Sequence, residues 1–255
     1  MNIDQKRTRC LIIIPCYNEG KNISSVVKKI TEQILSINTN NYGAISADYL
    51  VINDCSTDNS LAVLKQNDYN YLSLPMNLGI GGCVQTGYRY ALSNSYDIAI
   101  QHDGDGQHDP NYLIDVIEPI ITGQADIVIG SRFLDKQGFQ STGLRRFGIV
   151  FLSKIILLCT GVVINDVTSG YRAVNRKFIE LFAEQYAQDY PEPESIVDAA
   201  RNKAVIKEVP VIMHERKDGK SSIGSLKSIY YMIKVSLSII LHRVIQPRKG
   251  AEING

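Results

Sequence analysis

The chain is short of several features that define other classes of protein. No stretch reaches the ~18 uncharged apolar residues of a membrane span, and the opening MNIDQKRTRC lacks the apolar core of a signal peptide. Five cysteines (Cys10, Cys16, Cys55, Cys83 and Cys159) are odd in number and include no CxxC pair, which argues against a disulfide framework or a zinc site and for reduced thiols. The four histidines are too dispersed for zinc. There is no internal repeat and no low-complexity linker. With 44% hydrophobic and 21% charged residues, the 255-residue chain has the composition of a globular protein able to bury a substantial core. Its net charge of +1 conceals an asymmetry: from Arg216 onward eight Lys/Arg face two Asp/Glu. A basic tail therefore follows a mildly acidic body, suggesting an anionic surface as partner, although a solvated helix face would look the same.

Strand and helix signals alternate. Cys10–Pro15, Tyr49–Asn53, Tyr71–Pro75 and Asp97–Gln101 read as short buried strands. Ile23, Val26, Val27, Ile30 and Ile34 repeat at helical spacing, and Leu61–Gln66 and Gly79–Ser93 read as further helices. This order predicts an α/β protein with a doubly wound, mainly parallel sheet flanked by helices. The second half is less regular. It offers a strand at Asp126–Gly130 and a helix at Arg145–Thr160 with Phe147, Val150, Phe151 and Ile155 as its buried stripe. A loop follows at Asp166–Arg172, then a strand at Val205–Ile212 whose Pro210 points to a sheet edge. One domain over residues 1–224, with a basic amphipathic helix and tail over 225–255, is the simplest division.

Polar clusters follow the first, second and fourth strands: Tyr17-Asn18-Glu19, Asn53-Asp54 and Asp103-Gly104-Asp105. In a doubly wound sheet all three lie outside the carboxyl ends of the strands, where ligands bind. Asp103 and Asp105, two apart in extended chain, face one side. Mg2+ or Mn2+ takes such oxygen ligands and leaves room for substrate phosphates, while Gly104 and Gly106 permit close backbone approach. An acidic turn would also read this way; the three clusters together favour the cation.

With these pieces in hand, the chain resembles the family 2 glycosyltransferases, especially the branch similar to dolichol-phosphate mannose synthase. The matching segments come in the family's order: Ile14-Pro15-Cys16-Tyr17-Asn18-Glu19, Val51–Asp58, Asn77-Leu78-Gly79, Asp103–His108, Gly130-Ser131-Arg132-Phe133 and Asp166–Arg172. The resemblance spans residues 10 to 224 and implies a GT-A-type fold, with 1–224 as the catalytic domain. It also implies a nucleotide-diphospho-sugar donor, with Pro15, Tyr17 and Glu19 lining the nucleotide pocket and Asp54 accepting from the base. Asn77 and Gly79 join the donor side. Asp103, Asp105 and Gln107 would hold Mg2+ or Mn2+ on the diphosphate, where the ion assists the leaving group. Asn53 stands where the family often has aspartate. Asp58 reads as a turn or helix cap, and Glu19 also suits a first helical turn.

Arg132, Arg172, Arg216 and Lys220 are the cations expected near phosphate, since the arginine fork suits phosphate oxygens. His214–Ser222 reads as a basic loop closing on donor or acceptor. A sugar hydroxyl acceptor needs a general base, for which Glu194 is the candidate, although the adjacent prolines also make Glu192 and Glu194 suitable helix-start residues. A phosphate acceptor is already anionic and needs none. Leu226, Ile229, Tyr230, Ile233, Leu237, Ile240, Leu241 and Val244 form an apolar stripe suited to a membrane surface, to the domain itself or to a second subunit. The expected acceptor is a polyprenyl phosphate, with a growing glycan second. The expected location is the cytoplasmic face of a membrane, as a peripheral protein, and no nucleic-acid partner is expected. A sugar nucleotidyltransferase is disfavoured because Ile12–Gly20 lacks a glycine-rich basic loop. A non-catalytic carbohydrate- or membrane-binding protein is disfavoured by the intact carboxylates.

Overall fold

The structure is a computed structural model describing residues 7–39, 45–135, 137–140, 143–215 and 234–239. The strands are β1 (Thr8–Cys16), β2 (Ile45–Asn53), β3 (Tyr71–Ser73), β4 (Ile98–Gln101), β5 (Ile127–Ser131), β6 (Arg172–Asn175) and β7 (Ile206–Pro210). They form one sheet in the order β3-β2-β1-β4-β6-β5-β7. All neighbours are parallel except β6, which runs antiparallel to both β4 and β5. The sheet is thus mainly parallel, as the alternation of signals predicts. Pro210 lies on the edge strand β7, where its missing N–H costs no ladder bond.

Helices cover both faces, which explains why β1 is a nearly continuous apolar run. On one face lie α1 (Ile23–Thr39), α2 (Ser60–Gln66) and α4 (Leu113–Ile121), closing a core around Ile12, Ile14, Ile30 and Ile100. On the other lie α3 (Gly79–Ser93), α5 (Gly143–Thr160), α6 (Arg176–Glu184) and α7 (Pro191–Arg201), over Ile13, Ile52, Tyr88 and Phe178. The predicted α1 stripe is buried residue for residue.

The α5 stripe is corrected by the structure. Phe147, Val150 and Phe151 are 67%, 46% and 45% exposed, while Ile149, Leu152 and Ile156 are buried; Ile155 only packs partly against the core. The helix carries apolar residues all round, so two faces have helical spacing and the sequence pattern does not distinguish them. Within residues 234–239, a helical piece, Val235 and Ile239 are buried in the same cluster as Ile149 and Leu152, and Leu237 is exposed. The rest of the predicted tail stripe lies outside the described residues.

Candidate active site

The strand order reverses at β1, whose neighbours are β2 on one side and β4 on the other, so a crevice opens at their carboxyl ends. Three loops meet there. The first two are tied together. Asn18 adopts a positive φ of 56° and its Oδ1 accepts from the backbone N–H groups of Thr57 and Asp58. The Glu19 N–H donates to Ser60 Oγ at 2.9 Å, and the Gly20 N–H to Asp58 Oδ2 at 3.0 Å. Asp58 Oδ1 also accepts from the Ser60 N–H two residues on, an Asx turn leading into α2, so of the two readings, turn or cap, the turn holds; the N-cap itself is Asn59. Pro15 and Glu19 are buried, whereas Tyr17 is 48% exposed beside them.

Asp54 holds the start of α3: its Oδ1 accepts from the Leu78 N–H at 2.7 Å, and its carbonyl oxygen accepts from Asn77 Nδ2. Burial pushes its carboxyl above the usual range, against the lowering effect of the Leu78 and Gly79 N–H groups. Gly79, at φ 75°, lies in the left-handed region where a side chain is strained.

The third loop continues β4 alongside β1. The His102 N–H donates to the Ile13 carbonyl at 2.9 Å and the Gly104 N–H to the Pro15 carbonyl at 3.3 Å. A Cβ on Gly104 would fall 2.7 Å from that carbonyl oxygen, so glycine lets the two chains run side by side. Asp103 keeps a one-third exposed side chain. Its Oδ1 accepts from Gln101 Nε2 at 3.1 Å, and its N–H donates to His108 Nδ1 at 3.0 Å. Asp105 Oδ1 accepts from the Gln107 N–H at 3.0 Å. Behind the loop, His108 stacks on Tyr171 and meets His102 edge-on. Burial holds His102 neutral, well below the ordinary imidazole range, with His108 adding to the effect.

The segment leading into the basic loop is fastened to this turn. The His214 N–H donates to the Gln107 carbonyl at 2.8 Å, Gln107 Nε2 donates to the His214 carbonyl at 3.3 Å, and His108 bridges to Met213. Arg216 and Lys220 themselves lie outside the described residues.

Arg132 and Arg172 are placed differently from the phosphate clamp the sequence suggested. Arg132 Nε and Nη2 grip the fully buried Asp166 carboxylate at 2.7 and 2.6 Å, and Nη2 also reaches Thr168. Arg172, 3% exposed, donates to the Ser169, Val167 and Glu192 carbonyls and to Ser195 Oγ. These guanidinium groups are occupied by protein partners, and Arg172 pins the first turn of α7 to the site.

Glu192 and Glu194 both lie in that turn, with Pro191 at its first position. The Glu192 carboxyl lies within the influence of Arg172, Asp103 and Gln101. Burial raises its pKa most, Arg172 opposes and Asp103 adds to the rise. Gln101 has no role in the sequence reading, where Glu192 is a helix-start residue and Asp166 and Gly170 are only members of the loop before Arg172. Gln101 had one usable signal: a polar residue in an apolar strand, in register with Asp103.

The sequence matches the Glycosyl transferase family 2 model over residues 11–182. It is 32% identical over 220 residues to a UDP-N-acetylglucosamine–dolichyl-phosphate N-acetylglucosaminyltransferase of Methanococcus voltae, covering 78% of this chain and 83% of that protein. A polyprenol monophosphomannose synthase of Mycolicibacterium smegmatis is 27% identical, over 89% of this chain and 86% of that one. Among solved structures, glucosyl-3-phosphoglycerate synthase from Mycobacterium tuberculosis, in complex with Mn2+, UDP and glucosyl-3-phosphoglycerate, superposes with a TM-score of 0.65. It is 18% identical over 96% of this chain and 82% of that one, a likeness of GT-A fold.

Proposed function

The chain belongs to glycosyltransferase family 2, and on that premise we propose that it transfers a sugar, with inversion, from a nucleotide-diphospho-sugar to a polyprenyl phosphate at the cytoplasmic face of a membrane. The observation that carries the donor half is the meeting of the Pro15–Glu19, Asn53–Asp54 and Asp103–Gln107 loops at one crevice. The acceptor half is supported by relatives named for dolichyl-phosphate and polyprenol substrates.

The donor set fits a hard divalent cation. Asp103, Asp105 and the Gln107 side-chain carbonyl offer oxygens. Among the described residues no cluster of three His, Cys, Asp or Glu surrounds a point, so further positions would fall to diphosphate and water, the habit of Mg2+. When bound, Mg2+ or Mn2+ would neutralise charge on the departing nucleotide diphosphate. Pro15, Tyr17 and Glu19 line the nucleotide side. Asp54 fixes the start of α3, with Asn77 and Gly79, against the same pocket. A phosphate acceptor attacks as an anion, so no residue need remove a proton. Gln107 and His214 hold the chain just before Arg216 against the Asp103–Gln107 turn, and the basic residues Arg216 and Lys220 are proposed to serve the acceptor phosphate.

Two observations bear on the membrane. The exposed α5 face carries Phe147, Val150, Phe151 and Leu158 together with Lys154; Arg145 and Arg146 stand in the first turn, and the helix has no acidic residue. Such a face suits an anionic lipid surface. No helix of the described residues is long and apolar enough to cross a membrane, so association would be peripheral, through α5 and the basic tail.

The test is a panel of nucleotide sugars offered with polyprenyl phosphate and Mn2+, reading a lipid-linked sugar. Product from one donor, lost in Asp105→Ala, is expected. Transfer only to a glycan hydroxyl, with Glu194→Gln inactive, would replace the acceptor assignment.

A further inference from the structure

Gln101 ends β4 with its side chain fully buried, in a strand otherwise made of Ile98, Ala99 and Ile100. Its Nε2 donates to Asp103 Oδ1 at 3.1 Å. Its Oε1 has no hydrogen-bond partner among the described residues. A buried amide that leaves its carbonyl unpaired is a poor core residue, since an apolar side chain would fill the space without that desolvation penalty. The position makes sense if what matters is the NH2 group.

The surroundings enforce the same contact. Gly170 stands against both partners: a Cβ there would lie 2.8 Å from Gln101 Nε2 and 2.9 Å from Asp103 Oδ2. On the far side Arg172 Nη1 donates at 2.7 Å to the Glu192 carbonyl and at 2.7 Å to Ser195 Oγ, which keeps the first turn of α7 in place. Gly170 on one side and the turn held by Arg172 on the other leave the amide one carboxylate partner, Asp103.

We propose that Gln101 is a positioning residue: its amide fixes the Asp103 carboxylate in one orientation toward the cation. The inference rests on the reading that Asp103 and Asp105 hold that cation. Groups that hydrogen-bond a ligating carboxylate commonly set metal affinity by ~10–100-fold. Gln101 would do so without touching substrate.

The experiment is Mn2+ titration followed by electron paramagnetic resonance on the full chain, with UDP and separately with GDP, alongside thermal melting. Gln101→Leu should weaken Mn2+ binding about tenfold with an unchanged or higher Tm, because the orphaned carbonyl is gone. A merely structural role gives the opposite pattern, a lower Tm with Mn2+ affinity intact, and would overturn the proposal. Should Gln101→Leu not fold, Gly170→Ala, whose methyl displaces the same pair, is expected to show the same loss. Wild type that binds no Mn2+, or Asp103→Ala that binds it normally, brings down the site reading and this inference together. Binding that is lost in Asp103→Ala but kept in both Gln101→Leu and Gly170→Ala overturns the inference alone.

Discussion

Arg132 holds the Asp166 carboxylate by two parallel contacts, Nε to Oδ2 at 2.7 Å and Nη2 to Oδ1 at 2.6 Å, with the carboxylate wholly removed from solvent. The Arg132 backbone N–H adds a third bond to the same carboxylate. The pair ties the end of β5 to the loop entering β6, which also carries Gly170 to the side of Asp103. Removing one partner of such a pair strands the other charge, at a cost of about 3–5 kcal/mol. Asp166→Ala should therefore lower stability by that order in denaturant titration. Unchanged stability would show Arg132 free to serve phosphate after all.

Asp54 should show a split between stability and binding. Its carboxylate accepts from the first backbone N–H groups of α3, and hydrogen bonds to a charged group are worth about 1.5–3 kcal/mol. Asp54→Ala is expected to lose stability in that range and to raise the donor KM, since α3 starts at the crevice. Asp58→Ala, which removes the acceptor of the Ser60 and Gly20 N–H groups, should cost about 1 kcal/mol and leave α3 undisturbed. Equal effects of both on donor KM would contradict the assignment.

Alkaline pH should destabilise the protein through its buried thiols. Burial pushes Cys10 and Cys16 from 9.0 up to about 12. Above pH 9 the unfolded chain releases these protons while the folded chain keeps them. Stability present below pH 9 is thus lost progressively as pH rises toward 12, at up to about 1.4 kcal/mol per pH unit for each thiol. Guanidinium unfolding under reducing conditions at pH 8, 9 and 10 measures the slope, and Cys10→Ala/Cys16→Ala should reduce it, leaving the share of Cys83, whose thiol burial also pushes up. The same burial predicts native alkylation at Cys55 and Cys159 and protection of Cys10, Cys16 and Cys83.

The first half of the fold was legible because its strands are short apolar runs and α1 has one apolar face, so the period alone chose the buried side. The site clusters were legible for a related reason: each follows directly on a strand end. What resisted reading depended on tertiary partners. β6 is four residues bracketed by Arg172 and Asn175, with no hydrophobic run to announce it. Glu192 and Glu194 have the same local chemistry in the first turn of α7, and the tie from Arg172 to the Glu192 carbonyl depends on a residue 20 positions away. Arg132 reads as a phosphate ligand until Asp166, 34 residues on, is brought against it.

The misread face of α5 supplies the last prediction. An 18-residue helix with three cations, no acids and Phe147, Val150, Phe151 and Leu158 outward leaves an apolar stripe in contact with water. The fold does not need that stripe, because Ile149, Leu152 and Ile156 already dock the helix onto the core. Charging it should therefore spare stability and abolish whatever the face meets. Phe147→Glu/Phe151→Glu is expected to keep the wild-type Tm within a few degrees yet to lose cosedimentation with vesicles of mixed neutral and anionic phospholipid. Activity on a short, water-soluble polyprenyl phosphate should survive while activity on vesicle-embedded acceptor falls. Retention of vesicle binding would leave the basic tail as the membrane contact and α5 as a protein-facing surface. Because the stripe and the docking face are separated around the helix, the two outcomes are distinguishable without any change to the crevice that holds the donor.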